Sequence, residues 1–211
     1  MPLNLPVLKS LSEKTIVLAS ASPRRREILT DMGLHFQVVR TLQDDANDPT
    51  QYKTPSEYVA DTAYMKAKEV FDRCQQDSEL PKADIVIGAD TVVVKDNSVL
   101  EKPKDRDHAW YMLQKLNGAT HQVLTGVQIL YKRQDEVKQI GFVEKTDVTF
   151  TRLDDETIKA YIDSNEPFDK AGGYGIQGEA SLFVESISGD YWNVVGLPKN
   201  HLFRELSNIH I

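Results

Sequence analysis

Apolar and polar positions along this chain fall into well-separated periodic stretches. Residues 15–19, Thr-Ile-Val-Leu-Ala, are a short β-branched run that reads as a buried strand. The run stops at Ser20-Ala21-Ser22, and Pro23 opens a predicted helix over 23–32 that Gly33 ends. Ser22 suits the N-cap, and Pro23 suits the first helical position, where its missing N–H costs nothing. A second strand is expected over 35–41, then a polar loop over 43–53 rich in Asp and Asn. Thr54-Pro55-Ser56-Glu57 combines a cap, a first-turn proline and a capping-box glutamate, so a long helix begins there and runs to about Gln76. Val59, Ala63, Ala67, Val70 and Cys74 form its apolar stripe at helical spacing, with Lys66 on the stripe's edge and Lys68 pointing away.

Residues 85–95 read as a strand, turned by Asp96-Asn97 into a hairpin partner over 98–102. A helix over 105–117 stops at Gly118. Two long strands, 120–132 and 137–151, are joined through 133–136, and a helix over 154–164 leads to a glycine-rich loop over 171–178. Strands over 181–187 and 191–195 are expected to flank a Ser188-Gly189-Asp190 turn, and Pro198 begins a closing helix to about Leu206. Helices alternate with strands first and hairpins dominate later, which predicts an α/β domain on a mixed sheet. Residues 15–211 read as one domain behind an N-terminal extension, 1–14.

Two interruptions of the pattern carry chemistry. Arg24 and Arg25 stand in the first turn of the 23–32 helix, where the dipole favours negative charge. Arginines there suit an anion held by free backbone N–H groups, serine hydroxyls and guanidinium forks; a solvated surface cluster is the plainer alternative, and Arg26 fits that description. The second interruption is Asp90, one carboxylate inside the apolar strand Ile85-Val86-Ile87-Gly88-Ala89-Asp90-Thr91-Val92-Val93-Val94. Burying it requires a cation or a metal. A hairpin turning at Asp96-Asn97 sets Thr91 opposite Lys102, within a residue or so of Asp90, as either a catalytic or a structural ion pair. Gly88 just before Asp90 leaves room for a close backbone approach, by a ligand on the functional reading. Lys66 is either a second cation for this site or a stem lying over apolar surface.

The loop Ala171-Gly172-Gly173-Tyr174-Gly175-Ile176-Gln177-Gly178 contains a literal G-x-G-x-x-G. A dinucleotide fingerprint must follow a strand and open a helix; this one does neither, which argues against an NAD-dependent oxidoreductase. It remains either plain turn chemistry or a backbone loop presenting Gln177, whose amide both donates and accepts as a nucleobase edge requires. His121 and Thr125 share a strand face, and a lone strand histidine reads as structural. Asp44 and Asp45 either reach a metal or are solvated.

Composition narrows the field. With 211 residues, 40% of them hydrophobic, one domain with a sizeable core is expected. No apolar run approaches the ~20 residues of a membrane span, and 1–14 lacks a signal-peptide pattern, so no membrane role and a cytoplasmic location are expected. Cys74 is the single cysteine, which excludes an internal disulfide. A net charge of −7 argues against general nucleic-acid binding, whereas a small polyphosphate needs only local positive charge. The residues together predict a phosphate-ester or polyphosphate hydrolase using a carboxylate-held divalent metal.

The motifs Leu18-Ala19-Ser20-Ala21-Ser22-Pro23-Arg24-Arg25, Lys66-Ala67, Gly88-Ala89-Asp90-Thr91, Glu101-Lys102-Pro103, Gly118-Ala119-Thr120-His121 and 170–178 follow one another as in the Maf-family nucleoside triphosphate pyrophosphatases, which the chain resembles from about Thr15 to Leu206. The resemblance implies a two-lobed fold with a cleft, a mixed central sheet flanked by helices, and hydrolysis of a nucleoside triphosphate to monophosphate and pyrophosphate with Mg²⁺ or Mn²⁺. It implies Asp90 as proton acceptor, Arg24, Thr91 and Gln177 as selectivity residues, and Ser20, Ser22, Arg25, Lys66 and Lys102 as the phosphate-handling set. Asp90 and Asp45 are the implied metal ligands. Tyr-Gly-Ile-Gln-Gly resembles the branch acting on dTTP and UTP rather than on 7-methyl-GTP. Asp44-Asp45 stands where Asp-Glu is common, and Asn117 where serine is usual. A non-catalytic nucleotide sensor linked to cell division is the alternative function, and a homodimer is compatible with either.

Overall fold

The computed structural model describes residues 5–43, 47–134 and 136–209. Its centre is a seven-stranded mixed sheet. β1 (Ile16–Ala19) pairs in parallel with β2 (Gln37–Val38) and β3 (Ile85–Lys95). β4 (Ser98–Leu100), β5 (Thr120–Arg133), β6 (Glu136–Phe150) and β7 (Val184–Ser188) continue the sheet antiparallel, in the order β2-β1-β3-β5-β6-β7 with β4 beside β3. The parallel strands are linked through α2 (Pro23–Asp31) and α3 (Pro55–Gln76), the crossovers that parallel pairing requires.

Side-chain alternation along β3 organises the core. Val86, Val92 and Val94 face the apolar stripe of α3. The opposite row divides between two clusters. Ile85, Ile87 and Ala89 pack with α2 and with α7 (Lys199–Ser207), whereas Val93 packs with α4 (Arg106–Leu116) and α5 (Asp155–Asp163). Asp90 and Thr91 fall where these cores part. There one edge of β3 has no strand partner among the described residues, because β1 pairs only as far as Gly88 and β4 begins only at Val93. Gly88 lets α3 lie hard against the sheet: a Cβ there would stand 2.7 Å from the Ala63 carbonyl oxygen and 2.7 Å from the Ala67 Cβ. The close backbone approach expected at Gly88 is therefore made by α3.

Several expected elements take another form. The 35–41 strand reduces to Gln37–Val38, since four-residue β1 offers little to pair with. The hairpin turns at Asp96 and Asn97, both at positive φ, with Lys95 opposite Ser98, but its ladder ends at Leu100. The Glu101 carbonyl instead accepts the Gly172 N–H at 3.0 Å, which draws 101–102 out of register with β3. The expected strand 191–195 is a helical turn, α6 (Tyr191–Val195): the Asp190 carboxylate caps the Trp192 N–H at 2.7 Å and Gly196 ends the turn at φ 126°. Of the expected strand 181–187 only Val184 onward is extended, after a 3-10 turn over Glu179–Phe183. The extension before Thr15 contains α1 (Pro6–Leu11), whose Leu11 is buried in the α2/α7 core. No helix among the described residues is long and apolar enough to cross a membrane.

Candidate active site

A cleft of about 830 Å³ opens over this unpaired edge of β3. Ser20, Ser22, Arg24, Arg25, Lys66, Asp90, Thr91, Lys102 and Gln177 all line it, although they come from five separate stretches of chain. Asp45 and Asp44 lie outside the described residues.

At one end, the start of α2 has the predicted form. The Ser22 side chain accepts the Arg25 N–H at 3.4 Å, and Ser20 Oγ accepts the Ser22 N–H at 3.2 Å. The Arg25 guanidinium reaches across the unpaired edge of β3. Nε donates to the Gly196 carbonyl (2.9 Å), Nη1 to Ser20 Oγ (3.1 Å) and the Ala89 carbonyl (2.9 Å), and Nη2 to Thr91 Oγ1 (2.9 Å). Thr91 Oγ1 also shares a hydrogen bond with Thr125 Oγ1 at 2.9 Å. Arg25 thereby satisfies the Ala89 strand carbonyl and ties the end of β1, β3 and the end of α6 together. Arg26 is exposed, as expected.

Asp90 finds its cation on α3. Lys66 Nζ donates to Asp90 Oδ1 at 2.8 Å, and both side chains are nearly buried, 11% and 14% exposed. Asp90 Oδ2 takes no hydrogen bond from any described residue. The pairing of Asp90 with Lys102 expected from hairpin register does not form, because the ladder ends before it; Lys102 lines the cleft and makes no ion pair with a described residue.

Sequence reasoning gave no part to Tyr58 or Thr62, although they line the same cleft, and named Glu101 and Lys170 only as parts of motifs. The first two carried a readable signal, since 58, 62 and 66 recur every four residues on one face of α3. Tyr58 donates its hydroxyl to Glu101 Oε1 at 2.6 Å. Burial and that hydrogen bond raise the Tyr58 pKa far above the phenol range, so it stays a donor and fixes the carboxylate.

The other end of the cleft is the glycine-rich loop. Tyr174 is buried in the α4/α5 core and Ile176 in the α2/α7 core, so the loop stitches the two together and leaves Gln177 exposed between them. Tyr174 shares a 2.7 Å hydrogen bond with His121 Nε2, and both rings pack edge-on against Phe150. Burial pushes His121 down to about 4, with the Lys95 charge adding, so it is a neutral structural partner at pH 7.

An open α/β sheet whose strand ends and helix N-terminus meet in a cation-rich cleft defines a protein built to bind a small anion. More narrowly, the chain belongs to the Maf family: it matches the Maf-like protein family over residues 15–209. A human protein named "Probable bifunctional dTTP/UTP pyrophosphatase/methyltransferase protein" is 44% identical over 209 residues, covering 97% of this chain but 34% of the human protein. A "dTTP/UTP pyrophosphatase" of Thermoanaerobacter sp. is 47% identical over 188 residues, 89% of this chain and 93% of its own length. One of Bacillus cereus is 44% identical over 198 residues, 94% and 97% of the two chains.

Proposed function

We propose that the cleft hydrolyses nucleoside triphosphates, dTTP and UTP foremost, to the monophosphate and pyrophosphate. The observation that carries this reading is the Lys66–Asp90 pair at the uncovered edge of β3, facing a helix start built for phosphate. Asp90 Oδ2 accepts the proton of a water whose oxygen bonds the α-phosphorus while the bond from that phosphorus to the bridging oxygen breaks and pyrophosphate leaves. Lys66 holds the Asp90 carboxylate in position through Oδ1. Lys102 neutralises phosphate charge, Ser20, Ser22 and the first turn of α2 donate hydrogen bonds to the phosphates, and Arg25 holds that loop against β3. Gln177 meets the base edge, with Arg24 in the first turn of α2 and Thr91 on β3 contributing to selectivity.

The cleft also fits a divalent cation. Two of its carboxylates, Asp90 and Glu101, offer oxygen donors in a lining with no thiol or imidazole, the chemistry that Mg²⁺ or Mn²⁺ favours beside substrate phosphates. Asp90 and Glu101 would hold the ion, joined by Asp45 on the sequence reading. When bound, it supplies Lewis-acid polarisation of the phosphate oxygens. On this reading residues 15–211 work as one catalytic domain drawing on the cytoplasmic nucleotide pool.

The test is pyrophosphate release from a nucleotide panel with Mg²⁺ or Mn²⁺, for the wild type and Asp90→Asn. We expect turnover of dTTP and UTP and its loss by about 10²–10⁴-fold in the variant. Full activity in Asp90→Asn would remove the role given to Asp90, and a purine preference would overturn the base assignment. Nucleotide binding without pyrophosphate release would favour the sensing alternative.

A further inference from the structure

Glu166 lines the cleft five residues before the glycine-rich loop, in a 3-10 turn over Glu166–Asp169. Its polar groups tie the end of α5 to the two flanks of the loop. Oε2 accepts the Glu179 N–H at 2.9 Å, Oε1 accepts the Tyr161 hydroxyl at 3.1 Å, and the carbonyl accepts Lys170 Nζ at 2.6 Å. Burial and the Glu166 charge raise the Tyr161 pKa, which keeps it a donor. The loop in turn rests directly on this carboxylate: a Cβ at Gly178 would stand 2.2 Å from Glu166 Oε1. Lys170 underlies the other side, its Cε 2.5 Å from where a Gly175 Cβ would be. Lys170 Nζ also reaches Asp169 Oδ1 at 2.6 Å, and Asp169 Oδ2 lies 3.6 Å from Arg24 Nη1 on α2.

Gln177 sits between Gly175 and Gly178, so its amide can be no better placed than these two supports. We propose that Glu166 is a positioning residue for base selection. Its carboxylate fixes the backbone beside Gln177 so that the amide meets the base edge in one register, and the Asp169–Lys170 link joins the same turn to Arg24 across the cleft. The inference rests on the pyrophosphatase reading and deepens it. A uracil or thymine edge presents acceptor, donor, acceptor, whereas cytosine presents a donor first. An amide held in one orientation tells them apart, and a loosely held one turns to suit either.

The experiment compares wild type with Glu166→Gln, a near-isosteric change that removes the charge and one acceptor. It measures kcat and KM for dTTP, UTP, dCTP and dGTP, and inhibition by inorganic tripolyphosphate, which carries no base. We expect the kcat/KM preference among bases to fall about tenfold through KM, with kcat within about threefold and tripolyphosphate inhibition within about twofold of wild type. Gly178→Ala, which drives a methyl onto the same carboxylate, moves selectivity the same way and carries the test if Glu166→Gln does not fold. An unchanged base preference in a folded variant overturns the proposal. So does an equal loss of tripolyphosphate inhibition, which marks a purely structural role. If the wild type turns over none of the nucleotides, the functional reading has failed. The same base preference, read by calorimetric binding of the panel, then decides the role of Glu166.

Discussion

The two ends of the cleft are built by different means. At the phosphate end the functional side chains hang on regular backbone: Ser22 and Arg25 on the start of α2, Asp90 on β3, Lys66 on α3. At the base end Gln177 hangs on 3-10 turns and left-handed glycines, held by side chains from elsewhere, Glu166 below and His121 through Tyr174. The first end is a product of secondary structure and the second of tertiary clamps. Damage to the first should remove turnover, and damage to the second should blur which base is accepted.

The strongest way to break the phosphate end is Lys66→Met. Removing one partner of a nearly buried ion pair strands the other, at a cost of about 3–5 kcal/mol. We expect a lower denaturation midpoint together with a fall in kcat, and an unaltered order of preference among bases in whatever activity remains. A change in that order would show that the two ends are not separable.

Acid should reach the base end through His121. Its folded-state pKa, about 4, lies below the ordinary 6.5, so its contribution is fully present above 6.5 and is lost as pH falls toward 4. The loss is on the order of 3 kcal/mol by pH 4. Urea titrations between pH 7 and 4 should give a shallower pH dependence for His121→Asn than for wild type. Parallel curves would mean that another group carries the acid sensitivity.

Gly172→Ala strikes the loop itself. Gly172 holds φ +67°, and an added Cβ would stand 2.6 Å from Val93 Cγ2. Strain and overpacking together predict a loss of about 1–3 kcal/mol, with base preference weakened more than tripolyphosphate inhibition. Equal weakening of both would contradict the division of labour.

The same division explains what could be read from the chain. The Ser22 cap, the Asp96-Asn97 turn and the buried edge position of Lys66 follow from local spacing, and all three stand as expected. Lys102 does not, because its expected pairing assumed that a hairpin ladder continues, and the Gly172 N–H competes for the Glu101 carbonyl. Tyr191-Trp192-Asn193-Val194-Val195 has strand composition yet forms a helical turn, because buried Asn193 bonds the Val123 carbonyl (3.0 Å) and Thr146 Oγ1 (3.0 Å) from neighbouring strands. Glu166 carries no periodic signal at all; only the loop folded back onto it reveals its part.

The smallest expected effect sharpens the phosphate end. Three consecutive arginines open α2, and if their summed charge attracted the substrate, each would matter. The structure separates them by what they touch. Arg25 is bonded to four acceptors, Arg24 faces the cleft and Asp169, and Arg26 is exposed outside the cleft lining. An exposed charge beside a helix start contributes little and is screened by salt, so Arg26→Ala should shift stability by less than about 0.5 kcal/mol and kcat/KM by less than about twofold. Arg25→Ala, made alongside it, removes the bonds that tie the start of α2 to β3 and should cost activity at any ionic strength. A kcat/KM loss for Arg26→Ala that vanishes in high salt would instead make the cluster a field rather than a set of contacts.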